Sequence, residues 1–318
     1  MQQKYCFIFI GGLMKKISER TIKKHLFVYS VLIYPLIIFA IFWVGINFNS
    51  ILMAFQRLDV TGKPIEFVWF DNFKRFFEFL GRSSSDITIR TALGNSIKNY
   101  TIGLIGFPIA FLISFCLYKK VRFYKAYRFI VLIPQVVSGF VLTLVFHKFV
   151  ENALPSLMQQ WFGVKDFPNM LDDPRYTYGT TLFFGIWSGL ASTILIFTSS
   201  LNSIDRSIIE SAQLDGANFF QELWYICLPL IGGIVGTSII TSISGIFTAE
   251  GALVAFWEFG CPPEVVNMGY YFTQQVMLNQ NNYSVFPMLS AMGLVFTLVT
   301  IPLVYLAKWL VNKVVPEV

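Results

Sequence analysis

Residues 204–230 read I-D-R-S-I-I-E-S-A-Q-L-D-G-A-N-F-F-Q-E-L-W-Y-I-C-L-P-L and separate two strongly apolar segments. The stretch holds four acids, Asp205, Glu210, Asp215 and Glu222, against one base, Arg206. Ser207-I-I-Glu210 matches a capping box, and Asp205 also suits a helix start. Ile204, Ile208 and Ala212 recur every fourth residue and predict one apolar stripe. Asp215-Gly216 breaks the run, because glycine takes positive φ without steric cost. A second helical pattern, Phe219, Phe220, Leu223 and Trp224, leads to Leu228-Pro229. The expectation is helix, tight turn, helix, feeding into an apolar segment.

That segment belongs to a membrane protein. The chain has 318 residues, 55% hydrophobic and only 13% charged, where soluble domains carry about 25% charged residues. Several apolar runs reach the length of about 20 residues that a helix needs to cross hydrocarbon. The ten-residue alternation of a β-barrel is absent. The net charge of +6 is no nucleic-acid signal, because the bases sit at span ends where topology accounts for them. Cys6, Cys116, Cys227 and Cys261 form no C-x-x-C pair and read as small hydrophobes rather than as a disulfide framework or zinc site.

Six spans are expected, at 26–47, 95–117, 129–150, 178–201, 229–247 and 288–310. Residues 1–13 are apolar but too short to cross, Met14 would make a sensible alternative start, and 1–25 reads as a cytoplasmic tail before a transmembrane domain over 26–318. Residues 15–24 hold five bases and one acid, and residues 119–128 hold five bases and no acid. By the positive-inside rule both lie in the cytoplasm, as do both termini. The 48–92 loop is nearly charge-balanced, and its run 70–80 predicts an amphipathic helix with Phe73, Phe76, Phe77 and Leu80 on one side. Residues 151–177, with a D-D-P turn, and 249–286, with three acids and no Lys or Arg, read as outside. Parity places the segment 203–229 inside despite its acids. Lipid-anchoring helices are basic on their polar face, and an anionic leaflet repels acids, so a protein partner fits this segment better.

Glu210-Ser211-Ala212, then Gly216, then Ile226-x-Leu228-Pro229 resembles the EAA signature of ABC importer permeases, with Ser211 in place of the usual central Ala. The surrounding E-S-A-Q-L-D-G-A-N-x-x-Q resembles the carbohydrate-importer version. The likeness extends more loosely over 93–311, where Gly94-Asn95-Ser96 and Leu132-x-Pro134-Gln135 resemble oligosaccharide permeases. What the resemblance implies is an all-α, multi-pass type I importer domain in a bacterial cytoplasmic membrane. Its coupling helix inserts into a cleft of a cytoplasmic ATPase. Carried over by position, Glu210 pairs with a base of the ATPase, Ala212 allows close packing, Asp215-Gly216 makes the turn, and Ile226, Leu228 and Pro229 join the motif to the fifth span. The implied partners are a second homologous permease, two ATPase subunits that bind the ATP and Mg, an extracytoplasmic solute-binding protein, and membrane lipid. No cofactor is expected in this chain.

No catalytic constellation and no G-x-x-x-x-G-K-[ST] loop occurs. His25 and His147 lie far apart at span ends. No span carries an acid or base in its middle, which argues against ion coupling. A neutral polar cargo needs hydroxyls and aromatic faces instead. Trp187, Ser188 and Ser192 on the fourth span, and Thr237, Ser238 and Thr241 on the fifth, could supply them, although Ser and Thr are also ordinary between membrane helices. A carbohydrate, with an oligosaccharide foremost, is the expected cargo. Phosphate, a polyamine or an amino acid remains open, as does a membrane scaffold that transports nothing.

Overall fold

The computed structural model describes residues 5–10, 13–81 and 87–314. Parts of the expected tail and of the 48–92 loop, residues 1–4, 11–12 and 82–86, lie outside the described residues. Long helices dominate. Five are long and apolar enough to cross a membrane: Lys23–Met53, Ile89–Tyr118, Pro174–Asn202, Phe219–Ser244 and Tyr283–Lys313. Within the tail, Tyr5–Ile10 and Leu13–Ser18 pair as an antiparallel hairpin.

The expected third span, 129–150, is not one straight helix. Tyr124–Val136 and Gly139–Phe162 meet at an angle of 108°. Pro134 lies inside the first piece and removes one rung of its hydrogen-bond ladder. Val137 and Ser138 then leave helical space, with ψ of 141° and 132°. Side-chain contacts decide whether this bent pair crosses. Lys119, just past the second long helix, touches Glu222 near the start of Phe219–Ser244. Those two points therefore share one end of the molecule. Pro174–Asn202 crosses once between them, so the bent pair must carry the chain across as well. With the bent pair taken as one span, the described residues hold six candidate crossings.

The opposite end is built on side chains that satisfy non-helical backbone. Asn95 donates from Nδ2 to the carbonyls of Glu264 and Val266, both at 2.9 Å. The Ser96 hydroxyl accepts the Met268 N–H at 2.9 Å. Asn72 donates to the carbonyls of Ala54 and Gln56 at 2.9 and 2.8 Å. Asn72 belongs to the helix Asp71–Gly81, which forms where the periodicity predicts. Its packed face differs. Phe76 is buried and meets Phe296 edge-on at 5.9 Å, and Phe79 and Leu80 pack beside it. Phe77 faces outward, because the segment's ties to Ala54 and Gln56 set the helix's rotation. A short hairpin, Gln56–Leu58 with Pro64–Phe67, precedes it. The Tyr283 N–H donates to the Val60 carbonyl at 3.2 Å, linking this hairpin to the sixth span.

One apolar cluster at this end joins Phe76, Ile89, Met268, Tyr270, Met292 and Phe296. A second, at the other end, joins Phe111, Phe115, Leu201, Ile209, Leu223 and Ile231. Gly236 lies against Val311, so closely that a Cβ there would collide with the side chain. The apolar stretch of Lys23–Met53 has no buried residue.

Asn95 is the most testable of these ties. Asn95→Ala leaves two carbonyls, that of Val266 buried, without their donor and should cost about 2 kcal/mol. Asn95→Asp sets a carboxylate against the same carbonyls and should cost more. Thermal melts of the purified variants in detergent check both the loss and this order.

Candidate functional site

The polar stretch folds as a short helix, a turn and the fifth span. Arg206–Leu214 is helical, and its cap is Asp205, whose side chain accepts the Ser207 N–H at 2.9 Å. Hydrogen bonds from the Ser207 backbone and hydroxyl hold the Asp205 carboxyl below its usual range. The expected Ser207–Glu210 capping box is therefore replaced. Ser207 lies inside the first turn, where its carbonyl accepts from the Ser211 hydroxyl at 2.8 Å. Asp215 closes the helix and Gly216 turns the chain at φ +83°. The Gly216 N–H donates to Gln213 and the Ala217 N–H to Ala212.

The capping box sits downstream instead. Asn218 accepts the Gln221 N–H and Gln221 accepts the Asn218 N–H, at 3.0 and 2.9 Å. From there the helix runs without a break through Phe219–Ser244. The fifth span thus begins ten residues before Pro229, and the expected second short helix is its first turns. Pro229 falls within this helix. It is tolerated because the turn widens over Glu222–Cys227, where the Leu228 N–H reaches back to the Leu223 carbonyl and the ladder slips by one residue.

The apolar stripe also differs from expectation. Ile209 is the buried residue and packs with Phe115, Leu201 and Leu223, while Ile204 lies partly against them. Ala212 is half-buried and Ile208 is exposed. Leu214, at the turn, is 89% exposed. Ile226 and Leu228 pack on the same cluster, and Pro229 is exposed.

The four acids divide by role. Asp205 caps. Glu210 and Asp215 are exposed and, among the described residues, form no ion pair. Glu222 is 2% exposed. Lys119 Nζ lies 2.5 Å from its Oε1 and donates to its Oε2 at 2.5 Å. Gln213 Nε2 reaches the same Oε2 at 3.4 Å. Oε1 accepts no well-directed hydrogen bond, so charge alone holds it. Phe115, beneath the Lys119 ammonium at 5.8 Å, meets Phe219 edge-on at 4.8 Å. One base of the 119–128 cluster is therefore spent on the polar stretch itself.

The residues expected to face cargo are dispersed. Trp187 joins an aromatic cluster with Phe146 and Phe184, at 6.4 and 6.1 Å. Ser192 donates to Gln135 Oε1 at 2.7 Å, across the third and fourth spans. Ser188 and Gln135 line a cavity of about 670 Å³. Thr237, Ser238 and Thr241 donate to the carbonyls of Gly233, Ile234 and Thr237 on their own helix and line neither this cavity nor its neighbour.

The neighbouring cavity, of about 500 Å³, is lined by Ser96, Asn99, Tyr100, Tyr178, Ser242 and Glu250 among its polar groups. The Tyr178 hydroxyl donates to Asn99 Oδ1 at 3.0 Å. Glu250 is the one charged residue on either cavity wall and belongs to both. Its buried Oε2 has no hydrogen-bond partner among the described residues. A sequence signal existed for part of this wall, since Ser96, Asn99, Tyr100 and Gly103 recur at helical spacing on one face of the second span.

Over residues 73–318 the chain matches the family of binding-protein-dependent transport system inner membrane components. The chain belongs to this family. It is thus a multi-pass subunit of a bacterial inner-membrane transport system, an ABC importer permease and not an enzyme. An arabinooligosaccharides transport system permease from Halalkalibacterium halodurans is 25% identical over 265 residues, covering 79% of this chain and 77% of the relative. A multiple sugar-binding transport system permease from Streptococcus mutans is 25% identical over 251 residues, covering 76% and 81%. An sn-glycerol-3-phosphate permease from Pectobacterium atrosepticum is 22% identical over 216 residues, covering 67% and 71%. A bacterial ABC transporter that imports the acidic polysaccharide alginate shares the fold, with a TM-score of 0.71 at 20% identity over 92% of this chain and 98% of that one.

Gly216 carries the turn through its backbone alone, since a Cβ there would meet nothing within 4 Å. Gly216→Val should cost about 1–2 kcal/mol through φ, and Gly216→Asn should recover most of it. Thermal melts of the two variants check this order.

Proposed function

We propose that the chain imports a neutral oligosaccharide, driven by ATP hydrolysed on partner subunits. The observation that carries this reading is the unbroken join between Arg206–Leu214 and the fifth span through one tight turn. A force applied to the exposed face of the short helix passes into a membrane helix through one tight turn. Glu210, Ser211, Asp215 and the projecting Leu214 present that face, and two unpaired carboxylates suit a basic cleft on an ATPase. Glu210 is the charged contact, Ala212 the close-packed one, and Gly216 the pivot. ATP and Mg belong to the two ATPase subunits.

Orientation follows from the same end of the molecule. The 119–128 bases begin at Lys119, which pairs with Glu222, and in this reading that end, with both termini, is cytoplasmic. The opposite end, with its packed helix Asp71–Gly81 and its 249–286 segment, faces a solute-binding protein. A second alginate transporter structure, 19% identical to this chain with a TM-score of 0.72, is a complex with an alginate pentasaccharide-bound periplasmic protein. The unburied Lys23–Met53 helix is covered by lipid or by a second, homologous permease.

For the cargo, two relatives are named for arabinooligosaccharides and multiple sugars. The cavity walls favour a neutral member of that class. They hold hydroxyls, amides and tyrosines, one carboxylate and no Lys or Arg. A phosphate ester would meet like charge at Glu250 and no cation. A second reading, glycerol phosphate or another anion, draws on one relative's name and lacks this support.

Uptake assays in vesicles test both halves. Glu210→Arg should abolish recruitment of the ATPase and uptake together, and Gly216→Val should lower uptake; wild-type uptake in both variants would sink the coupling role. Glu250→Gln should retain uptake of a neutral oligosaccharide. Glu250→Lys should lower it by about tenfold, and preferential uptake of glycerol phosphate by the wild type would reverse the cargo reading.

A further inference from the structure

The Lys119–Glu222 pair joins two elements separated by 103 residues of chain. Lys119 caps the second span's last helical segment, and Glu222 sits one turn into the fifth. Their side chains are 22% and 3% exposed. Gln213, on the last turn of the short helix, reaches the same carboxylate. Three separate elements thus converge on one carboxylate, at the widened turn where the fifth span's own hydrogen-bond ladder slips.

We infer that Lys119 and Glu222 are positioning residues that make the end of the second span, the short helix and the base of the fifth span move as one body. The inference rests on the coupling role proposed above and adds a second path to it. Packing alone could hold these elements together, but apolar contacts are non-directional and let helices slide. A buried carboxylate that takes the Lys119 ammonium on Oε2, and Gln213 on the same oxygen, ties three elements to one point, and sliding any of them strands a buried charge. The second span also carries Ser96, Asn99 and Tyr100 on the cavity wall. A displacement of the short helix would therefore reach two walls of the cavity, through Ser242 on the fifth span and through these residues on the second.

The test uses the full transporter, with its ATPase subunits, in lipid vesicles. Spin labels replace Lys120 and Arg206, both exposed, after the native cysteines are changed to Ala. In the parent protein the distance between labels should be narrow and should shift by less than about 2 Å between nucleotide-free and ATP-bound states. Lys119→Met with Glu222→Leu fills the site with apolar groups and keeps packing. That double variant should fold with normal thermal stability, yet show a broadened distance or one that changes with ATP. The charge swap, Lys119→Glu with Glu222→Lys, should restore the narrow distribution. A double apolar variant as narrow and unmoved as the parent would overturn the inference, leaving the pair a packing feature. So would a swap that assembles normally and remains broad. Where Glu222→Gln alone fails to accumulate, these two double variants still decide. A third label at Lys148 separates the underlying reading: if ATP leaves the Arg206–Lys148 distance unchanged in the parent, the coupling role fails, whatever the 120–206 distance does.

Discussion

A chain that crosses a membrane must satisfy every backbone polar group inside the protein, and the rest of this structure follows from where it cannot do so by helix alone. The helices account for themselves. The breaks need donors and acceptors from side chains. At the end that holds residues 249–286, Asn95, Ser96 and Asn267 supply them. Asn95 serves two carbonyls of the 264–266 turn, and Asn267 caps the helix Met268–Leu278 by accepting the Tyr270 N–H at 2.8 Å. Neutral amides suit this task, because a buried charge would bring a desolvation cost that two carbonyls could not offset. The same ties hold Ser96, Asn99 and Tyr100 in register along the cavity wall. Local satisfaction of backbone and the shape of the site are one arrangement.

The spans were legible from composition, because about 20 apolar residues admit few alternatives. The amphipathic helix at Asp71–Gly81 was legible from its period. The Asp215-Gly216 turn and the two helical patterns flanking it were legible from local chemistry. What escaped was set by contacts distant in the chain. Phe77 fits the predicted stripe as well as Phe76 does, and only the anchoring of Asn72 to residues 54 and 56 turns one inward and the other out. The four-residue pattern put Ile208 on the apolar stripe, and the packing of Leu201 and Leu223 instead buried Ile209. The bend at Val137–Ser138 follows Pro134 by three residues, but Pro302 sits within an unbroken sixth span. A proline alone therefore does not tell a kink from a passage.

The excess of acids in the segment before the fifth span carried more information than its sum. Acids contribute little to orientation, so their presence on a basic side needed another cause. Three causes turn out to share the four residues: a cap at Asp205, a buried pair at Glu222, and an exposed acidic face at Glu210 and Asp215. Only the first could be read from neighbours in sequence. The partner of Glu222 lies in the 119–128 cluster, where topology already accounted for five bases and gave no reason to single out one.

The location of that pair has a mechanical logic. A lever transmits no more than its weakest turn allows, and beyond the Gly216 turn that is Glu222–Cys227, followed shortly by Pro229. A widened turn and a missing N–H make this the most compliant point in the first turns of the fifth span. Placing a buried carboxylate there, held by Lys119 from the second span and by Gln213 from the short helix, braces the compliant point from two sides. A pair of this kind need not add net stability, since the cost of burying both charges can cancel their attraction, whereas removing one partner costs about 3–5 kcal/mol. The asymmetry suits a brace better than a staple: the arrangement is not bound more tightly than an apolar one, but every displaced geometry strands a charge.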